Sequence, residues 1–409
     1  MKIYISGISG TGMGPLALMA KSAGIDVCGS DLSAGAVYPE LLAQGIEVSV
    51  GPQDGEFLKS HLSDIDWFVH TSALPADHPE LVMAREAGIK VTKRDELTAF
   101  LIEKLGLKMV AIAGTHGKTT TTSMITFASL KLGLPVSYIV GTTLGFAPSG
   151  SYHEGDKFFI YEADEYDRNF LKFHPWLAAL PFVSYDHPDI YPTEADYLAA
   201  FDQFKSQCEK VVEKVPVNPG LTLAGEARRS DATLALTAVM AMAAELNNSE
   251  ITEEKMIAVL NEFPGVGRRF ERITDGVYSD YAHHPEEVAA TIEMAHEEAK
   301  RLGKRGVVVI YQPHQNTRQH EVYPGYKDAF TGVDKLYWIP TYLTRENPDL
   351  EVLTPEFLIN TLSNKEVAEP AELNDELAAK IREKISENYL ILLLTAGPAD
   401  GWLRDNFAA

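Results

Sequence analysis

Residues 111–124 read AIAGTHGKTTTTSM: an apolar run, a glycine-rich turn, one lysine, then four threonines in a row. The preceding KMVAIAG (108–114) supplies a strand. After the turn, Met124, Ile125, Phe127, Ala128 and Leu132 recur at helical spacing towards a core, with Gly133 and Pro135 marking the stop. A strand feeding a glycine turn that opens a helix is the setting of a phosphate-binding loop. The backbone N–H groups of Gly114, Thr115, His116, Gly117 and Lys118, with the helix N-terminus behind them, are placed to face a phosphate chain. Lys118 adds a fixed charge for the terminal phosphates, Thr119 offers a hydroxyl to Mg2+, and Thr120 continues the first turn. The strict pattern has a glycine five residues before Gly117; this chain has Ile112 there, so the generic match is partial.

Two acidic strand ends lie downstream. YEADEYD (161–167) offers Glu162, Asp164, Glu165 and Asp167, and YDHPDIY (185–191) offers Asp186, His187 and Asp189. Mg2+ at an ATP site takes hard oxygen ligands, few of them from protein. Acidic ends on successive strands of one parallel sheet converge on the crevice that also receives the phosphates.

The strand–helix rhythm extends both ways. KIYIS leads into a turn carrying Gly7, Gly10, Gly12 and Gly14, then a helix near Pro15–Ala23, a strand DVCGSD ending in Asp31, a strand WFVHTSAL and a helix ELVMAREAG. The turn has the look of a dinucleotide fingerprint with Asp31 as its acidic partner, but its spacing is not G-x-G-x-x-G, so a redox reading is weak. Beyond an alanine-rich helix at 233–247 and a second helix capped by Thr252, the FPGVGRRFE stretch (263–271) breaks the pattern. GVVVIYQP, KLYWIP and NYLILLLTAG then form a third α/β unit. The fold expected is α/β in three domains: a Rossmann-like domain over 1–103, a phosphate-loop domain over 104–266 and a second Rossmann-like domain over 267–409.

Composition sets bounds. The chain has 409 residues, 45% hydrophobic and 23% charged, with a net charge of −22. Such acidity argues against nucleic-acid or anionic-membrane partners. Phosphates must then be held by local devices rather than a general field. No run approaches the ~18 apolar residues of a membrane span, so no membrane insertion is expected. Two distant cysteines build neither a disulfide framework nor a zinc site, and the first residues lack a secretory pattern, which together suggest a cytoplasmic protein, monomeric or homodimeric. The adjacent His283 and His284 invite a zinc reading that no third ligand at zinc spacing supports. His314 and Arg318, four residues apart in HQNTR, share a face if that stretch begins a helix.

AGTHGKTTTTSM, EADEYD, DHPDIY, GVGRRFE, DYAHHPEEV and QPHQNTR occur here in the order seen in the Mur ligases, and the chain resembles that family nearly end to end. The resemblance implies an ATP-dependent ligase of peptidoglycan precursor synthesis. ISGISGTGMGPLA, HTSALPADHPELVMAREAGI and DYAHHP look like the branch that joins L-alanine to UDP-N-acetylmuramate. Tyr166 looks more like the recycling branch, which adds a preformed tripeptide; a non-catalytic nucleotide-binding relative is a third alternative.

The resemblance further implies that Lys118 contacts the β- and γ-phosphates, with Thr119 and Glu162 as ligands of one Mg2+ and His187 as ligand of a second. Arg269 would contact the γ-phosphate, and Asp280 and His284 the nucleotide. His314 and Arg318 would bind the amino-acid carboxylate. Gly7, Gly10, Thr11, Gly12 and Met13, with Asp31 and Ser72, would cradle the UDP-sugar. Glu165 stands as a candidate to orient the incoming amine. Three departures accompany the likeness. A β-rich segment before LAGEARRSD is missing, Arg228 replaces an asparagine expected near adenine, and Gln315 replaces an arginine expected after His314.

Overall fold

The computed structural model describes residues 1–71, 74–187, 190–344 and 346–408. They form two compact units, Met1–Leu221 with Ser230–Pro264, and Thr222–Arg229 with Gly265–Ala409. The first unit holds two sheets and the second holds one.

The first sheet contains β1 (Lys2–Ser6), β2 (Asp26–Asp31), β3 (Glu47–Val50), β4 (Trp67–His70) and β5 (Lys90–Lys93), all parallel in the order β3-β2-β1-β4-β5. The chain reverses direction across the sheet between β1 and β4, and such a switch opens a crevice at the carboxyl ends of the strands. The glycine turn after β1 lies there. Sequence reading found β1, β2 and β4 and set IKVTKRDEL, which holds β5, after the helix ELVMAREAG; it passed over β3, whose four residues are at most half-buried. The strand expected over WFVHTSAL ends at His70; Ser72 and Ala73 lie outside the described residues.

The central sheet contains β6 (Lys108–Ile112), β7 (Val136–Ile139), β8 (Gly150–Ser151), β9 (Phe158–Glu162), β10 (Leu177–Leu180) and β11 (Lys210–Glu213), ordered β11-β10-β6-β9-β7-β8. β6 is flanked by β9 and β10, both parallel to it. The loops leaving these three neighbours therefore emerge side by side. They carry the quoted phosphate loop, EADEYD and the DH pair. The helix Lys118–Lys131 is buried without interruption from Thr121 to Ser129. Three of its hydroxyls bond back one turn: Thr122 donates to Lys118 O at 2.8 Å, Ser123 to Thr119 O at 2.7 Å and Thr126 to Thr122 O at 2.8 Å, whereas the buried hydroxyls of Thr121 and Ser129 make no hydrogen bond among the described residues. Back-bonding buries Thr122, Ser123 and Thr126 at little cost.

Within the same unit the first sheet meets the central one. Lys172 pairs with Asp95 at 3.1 Å, and Glu40 accepts from the Ser149 amide at 2.7 Å. The helix Glu194–Ser206 is capped by Thr193, and Glu253–Asn261 by Thr252, as its sequence predicts.

The third sheet contains β12 (Glu271–Thr274), β13 (Val277–Asp280), β14 (Val307–Gln312), β15 (Lys335–Trp338), β16 (Ala368–Pro370) and β17 (Leu390–Thr395), ordered β12-β13-β17-β14-β15-β16 with only β12 antiparallel among them. β14 and β17 are buried at every position, as VVVIYQ and LILLLT require of strands covered on both faces.

Candidate functional site

The phosphate loop turns because Gly117 takes φ +81°, a conformation costly for any residue with a Cβ. A Cβ there would also meet Asp231 Oδ1 at 2.7 Å and Pro181 at 2.9 Å. The loop is pinned from the side. The Thr115 amide donates to Phe182 O at 2.7 Å, and the Thr115 hydroxyl lies 2.6 Å from both Ser184 O and the Tyr197 hydroxyl. The His116 ring stacks on Phe182, centroids 5.9 Å apart. Thr120 is half-buried in the first helical turn.

Lys118 folds back over the loop. Its Nζ lies 2.9 Å and 3.1 Å from the two carboxylate oxygens of Glu165, and it also donates to Gly114 O. The Glu165 side chain is 1% exposed. Burial pushes the Glu165 carboxyl up from its ordinary value, with Lys118 pulling it back. Burial alone would depress Lys118, but Glu165, Asp164 and Glu162 outweigh it and raise the lysine, so the ammonium stays charged. Sequence reading set Glu165 beside the incoming amine; in the structure its carboxylate engages Lys118. The Tyr191 hydroxyl donates to Glu165 O at 2.6 Å, fixing the backbone beneath it.

Thr119 donates to Glu162 Oε2 at 3.1 Å, so the hydroxyl and carboxylate expected to share a metal are together. These are hard oxygen donors of the kind Mg2+ takes. His187 Nε2 lies 3.7 Å from Glu165 Oε1 and 3.7 Å from Asp186 Oδ2. His187, Asp167 and Arg168 all take left-handed backbone angles, at φ 59°, 53° and 56°. Non-glycine residues held this way cluster where surrounding structure over-determines them, commonly at functional sites. Asp189 lies outside the described residues.

At the glycine turn after β1, Gly7 and Ile8 donate to Ser30 O. Asp31 accepts from the Ser9 amide at 2.9 Å, so its carboxylate holds the turn itself. Gly10 and Thr11 are exposed, and the Met13 amide bonds to Gly10 O at 3.1 Å. The Met13 side chain, named with the ligand-facing residues, is buried in the core. Ser72 lies outside the described residues.

The second unit carries the remaining candidates. Asp280 is buried and accepts from the amides of Phe270 at 2.6 Å and Ala282 at 2.7 Å; it shapes the loop that presents Arg269 and His284. Burial pushes the Asp280 carboxyl up while Arg269 opposes the shift. The Arg269 guanidinium lies over the Tyr281 ring, 5.1 Å from its centroid. His284 is the N-cap of the helix Pro285–Arg301, and its amide donates to Glu287 at 3.3 Å.

His314 and Arg318 do not share a helical face. The helix begins at Asn316, with Gln315 as its N-cap at φ 60°, so His314 precedes it. The two are linked through His283, which sequence reading had met only as half of a rejected zinc pair. Arg318 Nη1 lies 2.9 Å from His283 Nε2, and the His283 and His314 rings meet edge-on at 5.9 Å. Burial depresses His283 to about 4. The ring is therefore neutral at neutral pH, and its Nε2 can accept from the guanidinium. A buried chain supports the pair: Tyr311 donates to His283 O at 3.1 Å and contacts Tyr326 at 2.6 Å, Tyr326 donates to Gln319, and Gln319 donates to His314 O at 3.0 Å. Gln315, the departure from the family pattern, donates its amide to Tyr342 O at 2.9 Å. In the second departure, neighbouring Arg229 makes a two-pronged pair with Glu297, at 2.8 and 3.2 Å.

Residues 2–104 match the family described as Mur ligase family, catalytic domain, and residues 268–397 match Mur ligase, glutamate ligase domain. The chain is 30% identical to a UDP-N-acetylmuramate–L-alanine ligase of Paenarthrobacter aurescens, over 97% of this chain and 94% of that one. It is 32% identical to the protein of the same name from Kineococcus radiotolerans, over 86% and 84%. Its fold is similar to the crystal structure of the UDP-N-acetylmuramate-alanine ligase of Thermotoga maritima, with a TM-score of 0.78 at 24% identity over 99% and 98% of the two chains. A murein peptide ligase of Psychrobacter arcticus superposes with a TM-score of 0.63 at 21% identity, over 99% and 98%.

Proposed function

The chain belongs to the Mur ligase family, and from that premise we propose how its residues perform the reaction. It is a ligase of peptidoglycan precursor synthesis that joins L-alanine to the carboxylate of UDP-N-acetylmuramate with ATP. The carboxylate attacks the γ-phosphorus of ATP, giving an acyl phosphate and ADP. The amine then attacks the acyl carbon, the C–O bond to phosphate breaks, and inorganic phosphate leaves as HPO4(2−) with the proton given up by the nitrogen. Both partners of the first step are anions, so positioning and charge neutralisation carry the rate.

The observation that supports this reading most is the Lys118–Glu165 pair beside the Thr119–Glu162 contact, at the ends of two adjacent strands, β6 and β9. Lys118 neutralises the transferring phosphoryl group, and Glu165 holds its ammonium in place. Bound Mg2+, which Thr119 and Glu162 would hold at one position and His187 at a second, supplies further neutralisation of phosphate oxygens. Arg269 is assigned to the γ-phosphate and His284 to the nucleotide, with Asp280 shaping their loop. Arg318, kept in place by neutral His283, binds the amino-acid carboxylate together with His314. The working division is 1–103 for the UDP-sugar, 104–266 for ATP and 267–409 for the amino acid. The protein is proposed to work in the cytoplasm as a monomer or homodimer; no helix of the described residues is long and apolar enough to cross a membrane.

One observation favours the tripeptide reading. Tyr166 is 42% exposed and lies edge-on to His187 at 5.2 Å. Asn316, in contrast, is buried and ties down residues 351–353. Phosphate release from ATP with UDP-N-acetylmuramate and Mg2+ decides between them: L-alanine should support turnover and the tripeptide should not. Turnover with tripeptide alone would move the chain to the recycling reaction, and none with either acceptor would leave a binding protein.

A further inference from the structure

The glycine turn after β1 has no cation of its own, yet the substrate proposed for it carries a diphosphate. The helix Arg94–Leu105, which follows β5, supplies one. Arg94 is its first residue, where the helix dipole disfavours positive charge; Asp95 and Glu96 in the same turn suit the dipole instead. An arginine there has some purpose other than stabilising the helix.

Its guanidinium leans over the glycine turn. A Cβ built on Gly12 would lie 2.7 Å from Arg94 Nη1. Gly12 does not adopt a left-handed angle, so its lack of a side chain serves space rather than backbone freedom. The neighbouring cations are engaged: Lys172 donates to Asp95 at 3.1 Å, and Lys93 lies 3.6 Å from Asp167. Arg94 has Asp95 at 3.7 Å and Asp164 at 3.9 Å, both beyond hydrogen-bond distance, and its guanidinium donates to no carboxylate among the described residues. The side chain is 28% exposed. Tyr161, Asp95, Asp164 and Glu162 thus surround a planar five-donor group, and none of the carboxylates accepts a hydrogen bond from it among the described residues, which suits two-pronged recognition of a phosphate.

We propose that Arg94 binds the diphosphate of the nucleotide-sugar over Gly12, making it the specificity residue that separates a nucleoside diphosphate from a nucleoside at this turn. The assignment rests on the UDP-sugar reading given above. Gly12 and Arg94 form one device, the glycine leaving the space and the guanidinium filling it.

Calorimetric titration of the full-length protein with UDP and with uridine tests this. Wild type should bind UDP far more tightly than uridine. Arg94→Ala should lose about ten- to a hundredfold in UDP affinity with uridine affinity unchanged. Arg94→Lys should fall between, and Gly12→Ala, which displaces the guanidinium, should reproduce much of the loss. In turnover, Arg94→Ala should raise the KM for UDP-N-acetylmuramate and leave the KM for ATP unchanged. Unchanged UDP binding in Arg94→Ala overturns the proposal. So does a fall in kcat at constant KM, which would move Arg94 to the reacting carboxylate. A wild type that binds ATP but no UDP would overturn the UDP-sugar reading itself, and the proposal with it.

Discussion

The turn after β1 and the turn after β6 use the same scaffold for different work. Each joins a parallel strand to a helix through glycines, and each leaves the crevice end of its sheet lined with backbone. The turn after β6 carries its cation within itself: Lys118 sits at the first helical position and is clamped by Glu165 from the loop after the neighbouring β9. The turn after β1 contains no lysine or arginine and is braced by Asp31 from its neighbour. A site that stabilises charge developing in a reaction needs a charge rigidly fixed at the reacting atom. A site that only retains an unreactive diphosphate can take its charge from a side chain reaching in from elsewhere. The third sheet shows another arrangement: Arg318 Nη1 meets a neutral histidine, His283, at 2.9 Å.

The largest effect expected from this contrast is that of Lys118→Ala. It should lower kcat by about a thousandfold and leave UDP binding intact. The fold should survive, because Glu165 is already pushed towards its neutral form by burial and can take up a proton. Steady-state rates, UDP titration and circular dichroism check these three statements together. Loss of UDP binding would show that the two turns do not act separately.

Next comes the histidine support. His283 sits at about 4 in the folded protein, against 6.5 for a free histidine. A folded-state value below the unfolded one means the unfolded chain binds more protons between pH 6.5 and 4, so stability falls as pH falls through that window. The contribution reaches roughly 3 kcal/mol near pH 4. Melting temperatures should drop over this range in wild type and drop less in His283→Gln. Equal slopes would remove the neutral-histidine account of Arg318.

Gly117→Ala sharpens the comparison of turns. The left-handed angle alone should destabilise by about 1–2 kcal/mol, and the KM for ATP should rise because the Cβ presses on Asp231 and Pro181. Smallest is Gln315→Arg, which restores a second cation beside His314. It should lower the KM for the amino acid by about tenfold; an unchanged KM would mean that position 315 does not face the carboxylate.

Much of this was legible in the sequence because it is local. GTHGKTT between a strand and a helix, and acidic residues closing the next strands, follow from the parallel-sheet rule that neighbouring strand ends converge. What escaped was either weakly patterned or depended on distant contacts. β3 is a four-residue strand with only two apolar residues. The His314–Arg318 association was anticipated by the wrong route: helical spacing was assumed, whereas the contact runs through His283 from the end of β13, more than thirty residues earlier in the chain. Glu165 was visible as an acid but not as the partner of Lys118. Arg94 had one available clue, a positive charge opening a helix whose next two residues are acidic.

The central claim is that the substrate carboxylate takes the phosphoryl group before the amide bond forms. UDP-N-acetylmuramate labelled with 18O in both carboxylate oxygens should, on turnover with ATP and L-alanine, transfer one labelled oxygen to each inorganic phosphate released. Phosphate carrying no label would mean that ATP is cleaved without passing through the substrate carboxylate, and would contradict the account.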